Sequence, residues 1–202
     1  GNTLVRSMLA AYFFSKDGVY NFDLLKNIKQ FPNITLFENL GIDIRNEKEV
    51  IKNYIKVQES FNKKNSVQFL KTHSYLFNIQ NNPFTNLKNS LGAIYIVRDP
   101  RDIAVSYADF LQISQEKVVD NMISSQHGEY PEVKGKSFHL TITGSWSDHY
   151  NSWKNYKGKK IIIIKYEDLI SKTYETFSKI MKYLNNVNKI IFDEKKINFS
   201  IE

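Results

Sequence analysis

The stretch IYIVRDPRDIAVSYADF, Ile94 to Phe110, holds two patterns in succession. The apolar run Leu91 to Val97 reads as a strand buried on both faces. Asp99-Pro100 follows, and Pro is well tolerated at the first position of a helix, where its missing N–H would have no partner anyway. Asp99 is therefore the expected N-cap of a helix running from Pro100 to about Gln112. Arg98 then stands at the carboxyl edge of a sheet, and Ser106 lies one to two turns into the next helix. In open α/β sheets this edge is where ligands bind. A planar guanidinium there, near helix N–H groups and a hydroxyl, suits the oxygens of a phosphate. The residues alone leave a second reading open, in which Arg98 pairs with Asp99 or Asp102 and Ser106 is an ordinary helix residue.

Outward from this stretch, apolar residues at helical spacing mark Asn2 to Phe14 through Leu4, Val5, Met8, Leu9 and Tyr12. The same spacing predicts helices over Glu47 to Asn62, over Ser145 to Tyr156 and, shorter, over Asn21 to Lys29. Tyr174, Phe177, Ile180, Met181 and Leu184 mark a closing amphipathic helix. Four consecutive Ile within Lys160 to Lys165 read as a central parallel strand, and Val67 to Leu70 as a short strand leading into Lys71-Thr72-His73. Gln126 to Phe138 reads as a long loop. Buried strands alternating with helices predict a three-layer α/β/α domain with a central, mainly parallel sheet, and one domain covers residues 1–202.

The absence of Cys excludes disulfides and thiolate metal sites, and no apolar run approaches the length of a membrane span. A cytoplasmic location is the default expectation, because no signal peptide is visible. The net charge of +7 is uneven: Asn151 to Glu202 carries 11 Lys against 6 Asp and Glu. That excess makes an anionic ligand plausible, and it equally describes a solvated Lys-rich surface. No recognition-helix cluster, zinc pattern or aromatic-basic motif points to nucleic acid.

The segment Tyr95 to Tyr107 resembles the 3′-phosphate-binding segment of the sulfotransferase family, which uses 3′-phosphoadenosine 5′-phosphosulfate (PAPS). That family places an Arg at a strand end and a Ser eight residues later, matched here by Arg98 and Ser106. Gly1-Asn2-Thr3-Leu4 before an amphipathic helix resembles the end of the family's phosphate loop, whose backbone N–H groups would cradle the 5′-phosphosulfate. The Pro, Lys and Ser of that loop would precede Gly1, and a chain without that Lys is expected to turn over poorly. Leu4 stands where many relatives carry a Trp.

Lys71-Thr72-His73 resembles the family's Lys-Thr-His, which makes His73 the expected general base and gives Lys71 a charge-stabilising role. A neutral imidazole with a pKa near roughly 6.5 can take the proton of an acceptor hydroxyl at neutral pH. Read without the resemblance, His73 would cap a strand or sit in the core, and Lys71 would be a surface Lys. Tyr166-Glu167-Asp168 resembles a segment whose Tyr contacts the adenine side, and Tyr166 could equally cap a strand. Gly144 to Trp153 resembles a Gly-Ser-Trp-x-x-His-x-x-x-Trp helix of the family, read mainly as packing, with His149 able to reach an acceptor pocket. His127 and His139 join no pattern. The family's Arg-Lys-Gly segment is missing and would follow Asn198 to Ile201.

The resemblance implies a phosphate-loop-like sulfotransferase fold and transfer of a sulfuryl group from PAPS to a hydroxyl, with an amine less favoured. It requires no metal, and its acceptor would be a small molecule or a glycan, with a pocket built from Ser15 to Glu38 and Gln126 to Thr141. Two rivals remain at this level. A nucleotide kinase would need a Gly-Lys-Ser/Thr loop end that Gly1-Asn2-Thr3-Leu4 does not supply. A non-catalytic module of the same fold would bind polyanions through the basic C-terminal part.

Overall fold

The computed structural model describes residues 1–62, 67–125, 128–129, 132–133, 136–137, 141–156, 160–189 and 193–201. The element order opens with α1 (Asn2–Phe14), a 3-10 helix (Phe22–Asn27), β1 (Lys29–Gln30), α2 (Ile34–Glu38) and α3 (Glu47–Phe61). Next come β2 (Leu70–Lys71), β3 (Asn78–Ile79), β4 (Asn82–Pro83), β5 (Gly92–Val97), α4 (Pro100–Leu111) and α5 (Gln115–Ile123). Then follow β6 (Gly128–Glu129), β7 (Glu132–Val133), β8 (Lys136–Ser137), β9 (Thr141–Ile142) and α6 (Trp146–Lys154). β10 (Lys160–Lys165), α7 (Tyr166–Ser171), α8 (Thr173–Asn188) and α9 (Glu194–Ile201) complete it.

The two apolar runs form the centre. β5 and β10 pair in parallel, from Gly92 opposite Lys160 to Val97 opposite Lys165. Because successive side chains of a strand point to opposite faces, Ile94, Ile96, Ile162 and Ile164 turn to one side. There they meet Val5, Met8 and Leu9 of α1, Leu169 of α7, Phe177, Ile180 and Met181 of α8, and Ile197 of α9. Ala93, Tyr95 and Ile161 turn to the other side, against Phe31, Phe37, Tyr54, Phe77, Phe84 and Trp153. The second cluster is aromatic, with Tyr54 edge-on to Phe31, Phe37 and Phe77 at centroid distances of 5.9, 5.5 and 5.1 Å. Strands between two helical layers give the predicted three-layer α/β/α arrangement. A second parallel pair, β1 with β2, brings Lys71 to a strand end as expected.

Several boundaries and elements differ from the sequence reading. Asn21 to Lys29 becomes a 3-10 helix capped by the Asn21 side chain, and Lys29 already belongs to β1. The Gln126 to Phe138 loop holds short antiparallel strands instead: β6 pairs with β9 and β7 with β8. His127 and His139 lie outside the described residues. α9 takes up Asn198 to Ile201 and buries Ile197 completely. Among the described residues, no helix is long and apolar enough to cross a membrane.

Gly144, immediately before the N-cap of α6, has φ of +61° and lies 3.4 Å (measured from a Cβ built on it) from the Tyr75 ring. Left-handed backbone costs a residue with a Cβ about 1 kcal/mol. Gly144→Ala should therefore lower stability by about that amount, read as a Tm fall of about 2–4 °C in a chain of this size. An unchanged Tm would mean that this turn relaxes freely.

Candidate active site

Asp99 caps α4 as the sequence predicts: its carboxylate accepts the Arg101 N–H at 2.9 Å. The Arg101 guanidinium binds the same carboxylate at 3.0 and 2.6 Å. That ion pair, with the Arg101 amide, holds the half-buried Asp99 carboxyl down at about 2. Asp99 is therefore engaged by Arg101 and not by Arg98. Arg98 approaches Asp102 only at 3.9 Å, too long for a hydrogen bond. Its Nε is buried and has no hydrogen-bond partner among the described residues. A buried cationic donor in this state costs free energy until an acceptor reaches it.

The Arg98 guanidinium lies 4.6 Å above the centre of the Tyr166 ring. Strand register explains the meeting: Val97 stands opposite Lys165, so the next residue of each strand leaves the sheet at one edge. Ser106, exposed, is the seventh residue of the helix that starts at Pro100.

The start of α1 reaches the same edge. Gly1 accepts the first helical hydrogen bond from Val5 at 3.0 Å, and among the described residues no side chain caps this end. The first-turn N–H groups have no partner within the helix and carry the positive end of its dipole. A Cβ at Gly1 would come within 2.8 Å of Ile96 Cγ2 and 3.0 Å of Tyr166 Cδ2, so only Gly fits against those side chains unchanged. Asn2 Nδ2 donates to the Thr72 carbonyl at 3.4 Å, tying the helix start to the Lys71-Thr72-His73 segment.

That segment is gripped from its other side by α6. His149 Nε2 lies 3.2 Å from the His73 carbonyl, and Trp153 Nε1 donates to the Ser74 carbonyl at 3.1 Å. The Leu76 N–H donates to Ser152 Oγ at 3.0 Å, and the Tyr75 N–H to the Ile142 carbonyl at 3.0 Å. His149 Nδ1 sits 3.0 Å from the Tyr95 hydroxyl, which burial pushes up to about 12. Burial also lowers the pKa of His149, and the charge of His73 adds to this, against a hydrogen bond to the His73 backbone that raises it. A His whose folded pKa lies below the unfolded value of about 6.5 binds fewer protons than the unfolded chain in the window just below that pH. Its neutral form is thus stabilising above about pH 6.5, and that stability falls as acid protonates the unfolded chain first. The urea midpoint should drop between neutral and mildly acidic pH, and drop less in His149→Gln; identical drops would assign the effect to other groups.

A cleft of about 1710 Å³ has Gly1, Asn2, Thr3, Lys71, His73, Arg98, Ser106 and Tyr166 all in its lining. It is also bordered by strand residues of both parallel pairs, among them Gln30, Leu70 and Tyr95. Of the expected acceptor-pocket segments, Ile28, Gln30, Phe31 and Gly128 reach it. Sequence reasoning missed the roles of Tyr95 and Thr72. It took Tyr95 as one more apolar strand residue, and its place two residues before the strand end was the available signal.

The model of one protein family, described as Sulfotransferase domain, matches residues 4–197. Among curated relatives, sulfotransferase 1 family member D1 of Mus musculus is 29% identical over 142 residues, 66% of this chain and 45% of that protein. The 3-alpha-hydroxysteroid sulfotransferase of Cavia porcellus is 34% identical over 94 residues, 45% of this chain and 30% of that protein. The chain thus spans less than half the length of these curated relatives. Mouse sulfotransferase SULT7A1 complexed with PAP is similar in structure with a TM-score of 0.49 and 20% identity, over 72% of this chain and 48% of that one. The family match begins after Gly1, Asn2 and Thr3, and it takes in the Lys71, Arg98 and Tyr166 segments and nearly all the rest. The chain belongs to the sulfotransferase domain family.

Proposed function

We propose that this cleft binds PAPS and transfers its sulfuryl group to a hydroxyl of a small-molecule or glycan acceptor. The observation that carries the reading is convergence. Four segments far apart in sequence, beginning at Gly1, Lys71, Arg98 and Tyr166, meet in one cleft at one edge of the sheet.

In this reading the first-turn N–H groups of α1, at Asn2 and Thr3 beside Gly1, which have no partner within the helix, hold the 5′ end of the nucleotide. Arg98, whose Nε has no hydrogen-bond partner among the described residues, and the Ser106 hydroxyl hold the 3′-phosphate, and Tyr166 flanks the base. His73 takes the proton of the acceptor hydroxyl as that oxygen attacks sulfur. The bond from sulfur to the bridging oxygen breaks, and its electron pair leaves on the phosphate of 3′-phosphoadenosine 5′-phosphate (PAP). Lys71 offsets charge on the sulfuryl oxygens in transit. As in phosphoryl transfer, the protein contributes position and charge more than covalent chemistry.

The test is PAP release from PAPS by the full-length protein over a panel of phenols, alcohols and sugars. Acceptor-dependent release is expected. No release with any acceptor, together with salt-sensitive binding of a polyanion such as heparin, would replace this reading by that of a non-catalytic module.

A further inference from the structure

The residue behind the candidate base is itself a histidine with a defined task. We propose that His149 is a positioning residue: its Nε2–H donates to the His73 carbonyl while its Nδ1 accepts from the Tyr95 hydroxyl, fixing the backbone that carries the His73 ring. This inference rests on the reading of His73 as the base.

Hydrogen-bond logic selects the tautomer. The His73 carbonyl can only accept, so the nitrogen 3.2 Å from it must carry the proton. The other ring nitrogen is then an acceptor in the neutral ring, and the Tyr95 hydroxyl at 3.0 Å supplies its donor. Tyr95 is itself held in β5, two residues before Val97 and the Arg98 edge, and its ring packs on His149 at 5.6 Å and on Tyr150 at 6.0 Å. The chain Tyr95 to His149 to His73 therefore runs from the central strand to the loop that bears the base. Thr72, the residue before His73, takes the Asn2 hydrogen bond from the start of α1. Ser74, the residue after it, takes that of Trp153. His73 is thus anchored through its own carbonyl and through both neighbours. The bond from His149 is the only one of the three made by a titratable ring whose proton has to be on a given nitrogen. A ring fixed within a few tenths of an ångström is what general-base transfer demands, since misplacement costs rate steeply.

The experiment compares His149→Ala with His149→Gln, whose amide N–H can still reach the His73 carbonyl. His149→Ala is expected to lower kcat about tenfold, one hydrogen bond's worth of misalignment, with the acceptor KM and PAP affinity nearly unchanged. His149→Gln should recover most of that rate. Equal losses in the two variants, unchanged kcat in His149→Ala, or a loss expressed mainly in acceptor KM would each overturn the proposal. A His73→Ala variant run beside them separates the readings: full rate there sinks the base assignment, whereas loss there with full rate in His149→Ala sinks only this inference. Nitrogen-detected NMR of the imidazole rings supplies a readout without turnover. Protonation of His149 at Nε2 is expected, and protonation at Nδ1 alone would contradict the arrangement.

Discussion

His73→Ala is expected to lower turnover by about 10²- to 10⁴-fold, the usual span for a positioned general base, while PAP affinity stays nearly intact. The split follows from geometry. His73 lies in the segment between β2 and the α6 contacts, whereas the groups assigned to the nucleotide come from the start of α1, the end of β5 and the start of α7. The same variant should lose the limb of the pH–rate profile that reports imidazole ionisation. A variant that retains full rate would refute the assignment, and a variant that loses PAP binding would move His73 into the nucleotide site.

Arg98→Ala should weaken PAP binding by about 2 to 3 kcal/mol, in the range for losing a charged hydrogen-bond donor, which is roughly a 30- to 150-fold rise in Kd. The neighbours of the guanidinium leave it open to a ligand. Asp99 is taken by Arg101 at 2.6 Å, Asp102 stands 3.9 Å away, and the buried Nε has no hydrogen-bond partner among the described residues. A guanidinium stacked on Tyr166 keeps its planar edge for a ligand. Arg98→Lys should recover only part of the loss, because an ammonium cannot reproduce the fork. Calorimetry showing equal affinity in wild type and Arg98→Ala would remove Arg98 from the site.

What the sequence revealed divides along physical lines. The β5 to α4 corner was legible because Asp99-Pro100 fixes it locally and the apolar run before it has no other use. The Ile run of β10 was legible for the same reason, and the parallel partnership of the two strands confirmed the layer order. α5 was missed because Val118 alone is buried, although Ser114 as cap and Glu116 in the first turn were visible signals. α9 was missed in a Lys-rich stretch, yet Asp193 accepts from the N–H groups of Lys195 and Lys196 as a cap does. The β1 to β2 pairing could not be read at all. Two residues on each side meet across 41 positions of sequence, from Lys29 to Leu70, and no local pattern encodes such a contact. In the site, residue types and spacing gave the candidates, but the competition for Arg98 among Asp99, Asp102 and Tyr166 was decided only by distances. The contact of His149 with the His73 backbone likewise depends on how α6 docks, which its apolar spacing does not specify.

The proposed function turns on recognition of a 3′-phosphorylated adenine nucleotide by this cleft through Arg98. Calorimetric titration of the full-length protein with PAP and, separately, with ADP tests it most directly. Tighter binding of PAP is expected, with the preference lost in Arg98→Ala. Equal affinity for the two nucleotides, or a PAP preference that survives the substitution, would contradict it.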